Sequence, residues 1–161
     1  MKHVQTRSGS ILAPAPVTVA DAPGGRMVLH GLAAVYNSET DLGPFREVIA
    51  TGAFSASNLS DVRFMLNHAG LPMGRTTAGT LEVRDTPAGL FYRVLLPDTA
   101  EAHALYTAVK RGDISQSSFA FTIGSERWDT ARGLRIVEAV ETVFDVSAVA
   151  FPAYESATVN A

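Results

Sequence analysis

Short runs in which hydrophobic and polar residues alternate occur along most of the chain, and this period of two is typical of β-strands. Such runs predict strands at residues 28–36, 45–49, 62–66, 80–85, 89–96, 115–123 and 134–149. The turn Thr86-Pro87-Ala88 predicts a hairpin between the fourth and fifth of these strands. The polar residues 124–133 are expected to connect the last two.

One segment shows the three-to-four residue spacing of an amphipathic helix, with apolar residues at Ala102, Leu105, Tyr106 and Val109. Asp98 and Glu101 resemble a capping box at its start, and Gly112 is a stop signal at its end. A second, short helix is predicted from Thr51 to Leu59, with Thr51 as its N-cap. The element order predicts an α+β fold, mainly an antiparallel β-barrel with a few helices.

The chain of 161 residues is long enough for one domain with a sizeable core. Residues 1–25 contain several prolines and glycines among small residues, and we expect them to form a flexible N-terminal arm. The domain is then predicted to span residues 26–155. Residues 156–161 are expected to form a C-terminal tail.

The composition of the chain excludes several classes of partner and of functional site. The chain has 13 basic and 16 acidic residues, a net charge of −3 and no basic run, so we expect no nucleic-acid partner. It has no cysteine, which excludes a disulfide framework, a thiolate zinc site and a cysteine nucleophile. No histidine pair has ligand spacing, so we expect no metal and no cofactor. No signal-peptide h-region or long apolar run occurs, so a soluble protein without a membrane partner is expected.

Three serines near the start of the strand at 115–123 are candidate nucleophiles: Ser115, Ser117 and Ser118. Residues two apart on a strand share a face, so Ser117 lies with Phe119, and Ser118 lies with Ala120. The bulky face should pack into the core, which leaves the small face to meet a substrate. This argument favours Ser118. The ordinary alternative is that Ser118 belongs to a solvated polar face.

A serine nucleophile needs a base, and the chain has four histidines. His3 lies in the predicted arm, His30 lies in an apolar strand, and His103 lies on the predicted helix. His68 remains, at the point where the strand at 62–66 ends and a loop begins. An ordinary surface histidine is the alternative interpretation.

The base needs an orienting acid, and the last strand offers Glu138, Glu141 and Asp145. Its even positions are the more apolar, so Glu141 and Asp145 should lie on the polar face. A turn near residues 130–131 would pair Ser118 with position 143 or 144, close to these two acids. Asp145 therefore ranks first, Glu141 second and Glu138 third, although a bulge would reverse the parity and favour Glu138.

A series of short motifs occurs in order over about residues 28–155: Gly31-Leu32-Ala33-Ala34-Val35-Tyr36-Asn37, Glu47-Val48-Ile49, Gly52-Ala53-Phe54, Leu66-Asn67-His68, Gly74-Arg75, Gly89-Leu90, Arg111-Gly112-Asp113-Ile114-Ser115-Gln116, Ser118-Phe119-Ala120-Phe121, Asp145-Val146-Ser147 and Phe151-Pro152-Ala153-Tyr154. Together they resemble the prohead (capsid maturation) serine proteases of tailed bacteriophages. The fold of that family is similar to the herpesvirus maturation protease fold. The resemblance implies that His68 and Ser118 are the catalytic pair.

Two positions depart from the family pattern. Ala69 follows His68, where the family commonly has an acid, and Asp145 stands where the family usually has a glutamate before Val-Ser. The herpesvirus relatives use a second histidine as the third member. The third catalytic residue is therefore the least constrained part of the predicted site.

The resemblance implies a serine endopeptidase that processes the major capsid protein and the scaffold protein during prohead maturation. The enzyme would act inside the assembling procapsid in the cytoplasm of the bacterial host. A homo-oligomer is compatible with this role. Backbone N–H groups should hold the oxyanion, with Arg75 as a helper and Gly74 allowing close backbone approach. The alternative is a catalytically inactive, capsid-associated structural β-barrel protein. An esterase is disfavoured because no Gly-x-Ser-x-Gly motif occurs.

Overall fold

The computed structural model describes residues 5–6, 17–20 and 23–150 of the chain. Its strands are, in chain order, β1 (Gln5–Thr6), β2 (Val17–Ala20), β3 (Val28–Val35), β4 (Thr40–Asp41), β5 (Arg46–Ile49), β6 (Arg63–Leu66), β7 (Ala69–Arg75), β8 (Leu81–Thr86), β9 (Gly89–Leu95), β10 (Gln116–Asp129) and β11 (Leu134–Val149). The described α-helix is α1 (Ala100–Arg111), and short 3₁₀ turns lie at Pro23–Gly25 and Thr76–Ala78. The prediction of a mainly β chain is confirmed.

The described strands form two sheets and not one closed barrel. The larger sheet has the order β1-β10-β11-β5-β4, with β6 also paired to β11 and β7 paired to β6. The smaller sheet has the order β2-β3-β9-β8. The predicted antiparallel barrel was wrong on two counts: the strands lie in two separate sheets, and β5 and β6 both pair in parallel with the long strand β11. Parallel neighbours are distant in sequence and lack the turn signals that mark a hairpin.

An ion pair joins β5 to the N-terminal end of β11. Glu47 lies opposite Arg135 in the parallel register, and the Arg135 Nε atom donates to Glu47 Oε2 at 2.6 Å. Both residues are buried, and burial lowers the pKa of Arg135. The two charges satisfy each other inside the protein, where an unpaired charge would be costly.

The core lies between the two sheets and is rich in aromatic side chains. Phe119 and Phe121 of β10 stack with their ring centroids 4.5 Å apart. Phe64 of β6 packs against Tyr92 of β9 at 5.5 Å, which joins the sheets directly. Truncating such a buried aromatic residue to alanine typically costs about 3–5 kcal/mol. This core fixes which face of β10 points away from it.

The segment from Thr51 to Leu59, predicted as a helix, is a series of turns. Gly52 has φ 83°, a left-handed conformation that interrupts a right-handed helix. The backbone then bonds in short steps, for example from Ser55 N to Gly52 O at 3.0 Å. Thr51 caps nothing, and its Oγ1 atom accepts a hydrogen bond from Asn37.

Helix α1 forms where its apolar spacing predicts it, with a different N-cap. The Thr99 side chain accepts from Ala102 N, whereas the predicted cap Asp98 bonds the ring of His103 at 2.7 Å. Gly112 ends the helix in the left-handed conformation, as predicted. The described residues contain no helix that is long and apolar enough to cross a membrane.

The segment predicted to be an N-terminal arm contributes strands β1 and β2. β2 pairs antiparallel with β3, and Val17 is buried in the core. His3, the tail at 156–161 and the motif at 151–154 lie outside the described residues. The division into arm, domain and tail stays a prediction.

Candidate active site

Strand β10 presents two different faces, as its alternation predicts. Ser117 and Phe119 face the core, where the Ser117 hydroxyl lies 2.6 Å from the Tyr92 hydroxyl. Ser118 and Ala120 lie on the opposite face of the strand, which we call the outer face of the sheet. That face is not solvated at this point, because Ser118 is only 1% exposed. Ser115 precedes the strand and is exposed.

The register of β10 against β11 differs from the predicted one. Ser118 lies opposite Ser147, and Asp145 lies opposite Ala120. The predicted partner of Ser118 was position 143 or 144. Part of the displacement comes from the position of the turn, where Asp129 pairs with Leu134, and the rest comes from bulges between Ala120 and Glu126. Directly opposed residues of an antiparallel pair share a face, with Cβ atoms about 4.5–5.5 Å apart. Ser118 and Ser147 are therefore neighbours on the outer face.

His68 lies in a tight turn that brings it over β11. Strands β6 and β7 form a hairpin in which Leu66 pairs with Ala69, so Asn67 and His68 make up the whole turn. Both turn residues have positive φ, 52° and 56°, as a type I′ turn requires. The sequence predicted a loop after His68 and missed strand β7, which contains residues that are rare in strands: Gly70, Pro72 and Gly74.

The His68 ring is held by a carboxylate of β11. Its Nδ1 atom lies 2.6 Å from Asp145 Oδ1, and the His68 side chain is only 4% exposed. Since a carboxylate only accepts hydrogen bonds, Nδ1 carries the proton in this pair. The Nε2 atom of a neutral ring then carries a lone pair. It is buried and has no hydrogen-bond partner among the described residues.

Ser147 completes this cluster, and sequence reasoning gave it no role. Its hydroxyl donates to Asp145 Oδ1 at 2.9 Å and accepts from the backbone N–H of His68 at 3.2 Å. Two further polar atoms of β10 are buried without a partner in the described part of the chain: Gln116 Oε1 and Thr122 Oγ1. All of these residues lie on the strands that carry Ser118 and Asp145, and only the register could have indicated Ser147.

The other two candidate acids do not contact the His68 ring in any described hydrogen bond. The Glu138 carboxylate accepts from Arg127 Nε at 2.8 Å and is largely exposed. Glu141 is half-buried, and its backbone oxygen accepts from Asn58 N. Of the three acids, Asp145 is therefore the one that the structure brings to His68.

The two residues predicted to help an oxyanion lie on β7. Arg75 lies in the register row of Arg63 and Asp145, and its Nε and Nη2 atoms bond Asp61 at 2.7 and 3.0 Å. This hydrogen bonding lowers the pKa of Asp61 and raises the pKa of Arg75. Gly74 faces the core, where a Cβ atom would overlap Val94, so tight packing of the two sheets is reason enough for glycine there.

The two other described histidines have local partners. His30 Nε2 lies 2.9 Å from the Thr18 hydroxyl, and His103 bonds Asp98. No group of three or more potential metal-binding side chains occurs among the described residues. Of the three described histidines, His68 alone is joined to a carboxylate beside the predicted nucleophile.

Serine hydrolases combine a serine, a histidine and an aspartate. Of the two contacts that such a set requires, the described hydrogen bonds include the one between His68 and Asp145. The chain belongs to the caudovirus prohead serine protease family, whose family model matches residues 16–161. That family is a serine peptidase family that acts in capsid maturation inside the assembling procapsid. No curated protein and no solved structure matches the chain at a significant level.

Proposed function

We propose that Ser118, His68 and Asp145 form the catalytic triad of this protein. The observation that carries the proposal is the unpartnered Nε2 atom of His68. It belongs to a ring whose other nitrogen is bound by Asp145 and contacts Ser147, the residue that lies opposite Ser118 on the neighbouring strand. A base of this kind has a fixed tautomer and an available lone pair, which is what activation of a hydroxyl requires.

In the proposed reaction, Ser118 Oγ attacks the scissile carbonyl carbon while its proton passes to His68 Nε2. Asp145 stabilises the imidazolium that forms and does not itself take up the proton. The imidazolium then gives the proton to the leaving amine, and the peptide bond breaks. Water attacks the resulting ester with His68 again as base, which releases the acid product and restores Ser118.

Backbone N–H groups are proposed to hold the oxyanion, with Arg75 as a helper from the same face of the sheet. Losing one such donor typically costs about 2.7–4 kcal/mol of barrier. Arg75 is already bound to Asp61 through two nitrogens, which fixes its guanidinium in place. A fixed donor needs no reorganisation as charge develops on the substrate.

The proposed substrates are the major capsid protein and the scaffold protein, in the procapsid that assembles in the host cytoplasm. Ser118 is almost fully buried, whereas a reacting carbonyl must come within about 3–3.5 Å of it. The outer face of β10 must therefore open before a peptide binds. Confinement of enzyme and substrate in one shell would raise their effective concentration and offset the cost of that opening.

The test is co-expression with the major capsid protein of the same phage. Ser118→Ala and His68→Ala should each abolish capsid-protein cleavage and leave a folded protein. Ser125→Ala is the control, because Ser125 lies on the same strand and is exposed. Undiminished cleavage by Ser118→Ala would remove Ser118 from the site. Lack of cleavage by the unaltered protein, with its capsid protein intact, would favour the structural alternative.

A further inference from the structure

The Ser147 hydroxyl contacts three different atoms of the cluster around His68. It donates to Asp145 Oδ1 at 2.9 Å, and it accepts from the His68 backbone N–H at 3.2 Å. It also lies 3.3 Å from the His68 ring nitrogen Nδ1. Ser147 is fully buried, so no bulk water competes for these bonds.

The number of protons on a hydroxyl decides what each of these contacts can be. Ser147 Oγ carries one proton and two lone pairs, and the carboxylate of Asp145 can only accept. The proton is therefore directed to Asp145, and both contacts with His68 use the lone pairs. Ser147 can in this way accept from the His68 backbone and from Nδ1–H, and the contact with Nδ1–H favours the tautomer with a proton on Nδ1.

The backbone of His68 also needs this support. Its φ of 56° lies in the left-handed region, which is less favourable for any residue with a Cβ than for glycine, although histidine adopts it more often than most residues do. Strained backbone of this kind persists only where its surroundings over-determine it. Ser147 bonds the N–H of that strained residue and also bonds the acid that holds its ring, so it restrains His68 at two points.

We infer that Ser147 is a positioning residue that holds His68 and Asp145 in the geometry that the reaction needs. The inference rests on the proposed function of Ser118 and His68. Ser147 is not the nucleophile in this account, because its proton goes to Asp145 and it faces the protonated nitrogen of the ring. Its register position opposite Ser118 places it beside the nucleophile.

The test uses a fluorophosphonate, which forms an Oγ–P bond with an activated serine as fluoride leaves and the base takes the proton. Saturation of labelling separates the maximal rate kinact from the half-saturating concentration KI. Loss of a hydrogen bond to a charged group should lower kinact about 10- to 100-fold in Ser147→Ala. KI should change little, because the Ser147 hydroxyl binds the base and the acid rather than the probe.

A second measurement reports on His68 without any reaction. A ring Nδ1–H that donates to a carboxylate gives a downfield proton NMR signal, which His68→Gln identifies by its loss. Ser147→Ala should shift or broaden this signal in a folded protein. Ser147→Thr, which keeps the hydroxyl, should restore the signal and most of kinact.

Ser117→Ala is the matched control, because it also removes a buried serine hydroxyl from the core. The Ser117 hydroxyl lies on the core side of β10 and bonds Tyr92. The control variant should leave kinact and the His68 signal unchanged. If Ser147→Ala leaves kinact and the His68 signal unchanged, the inference about Ser147 is overturned and the proposed function is not. Equal labelling of Ser118→Ala and the unaltered protein would instead overturn the proposed function.

Discussion

His68 Nδ1 lies 2.6 Å from Asp145 Oδ1, although the two residues are 77 positions apart in the chain. The contact exists because β6 pairs in parallel with the end of β11. The two-residue turn after β6 then carries the His68 ring over the outer face of the sheet. Ser118 reaches the same face from the other neighbour of β11.

Asp145→Asn should lower the rate of capsid-protein cleavage about 10⁴-fold, the size seen for the equivalent change in a well-studied Ser-His-Asp protease. An amide can donate to Nδ1, which favours the tautomer with its proton on Nε2. That proton removes the lone pair that the base needs. The measurement is the cleavage rate of purified protein, with folding checked by circular dichroism.

Glu138→Gln provides the comparison for this prediction, because Glu138 is engaged with Arg127 at the surface. It should retain the cleavage rate of the unaltered protein. A large loss in Glu138→Gln together with an active Asp145→Asn would contradict the assignment of the acid.

His68→Gly and His68→Ala should both be inactive, but the glycine variant should be the more stable of the two. The φ of His68 is 56°, a conformation that costs a residue with a Cβ roughly 1–2 kcal/mol. The free energy of unfolding should therefore be about 1 kcal/mol higher for His68→Gly in urea denaturation. Helices and strands show the opposite order for glycine and alanine. If His68→Ala were the more stable variant, as alanine is in helices and strands, the turn would not be strained.

Tyr36 should make the protein sensitive to alkali. Its hydroxyl donates to Asp85 Oδ1 at 2.6 Å, and burial together with this bond raises the pKa of Tyr36 to about 12. A raised pKa favours the neutral phenol, so its contribution is complete below the ordinary value near 10. That contribution is lost as the pH rises from about 10 to about 12.

Tyr36→Phe cannot ionise, so its free energy of unfolding should fall less steeply over this pH range than that of the unaltered protein. At neutral pH the variant should be destabilised by about 1–3 kcal/mol, because Phe54 N loses the hydroxyl that accepts from it. The measurement is urea denaturation at several pH values between 8 and 12. Parallel curves for the two proteins would contradict the assigned role of Tyr36.

The elements that the sequence predicted well are those with local signals. The hairpin of β8 and β9 follows from alternation around Thr86-Pro87-Ala88, and α1 follows from its apolar spacing and from Gly112. The two faces of β10 were also predictable, because a period of two needs no knowledge of the partner strand. Ser117 accordingly lies against Tyr92 in the core.

The remaining features depend on pairings that no local pattern specifies. The position of the turn and the bulges between β10 and β11 move Ser118 from the predicted partner at 143 or 144 to Ser147. The strands form two sheets with parallel pairs at β11, where an antiparallel barrel was predicted. Ser147 has no local signal because its role arises only from the hydrogen bonds around His68. The sequence thus ranked Asp145 first among the acids, whereas the hydrogen bonds that hold it against His68 could be seen only in the structure.

The most direct test of the central claim is to map the fluorophosphonate adduct by mass spectrometry of the labelled, digested protein. The account predicts a single modified residue, Ser118, with no adduct in Ser118→Ala and strongly slowed labelling in His68→Ala. An adduct on Ser147 or on any other serine, or undiminished labelling of Ser118→Ala, would contradict it.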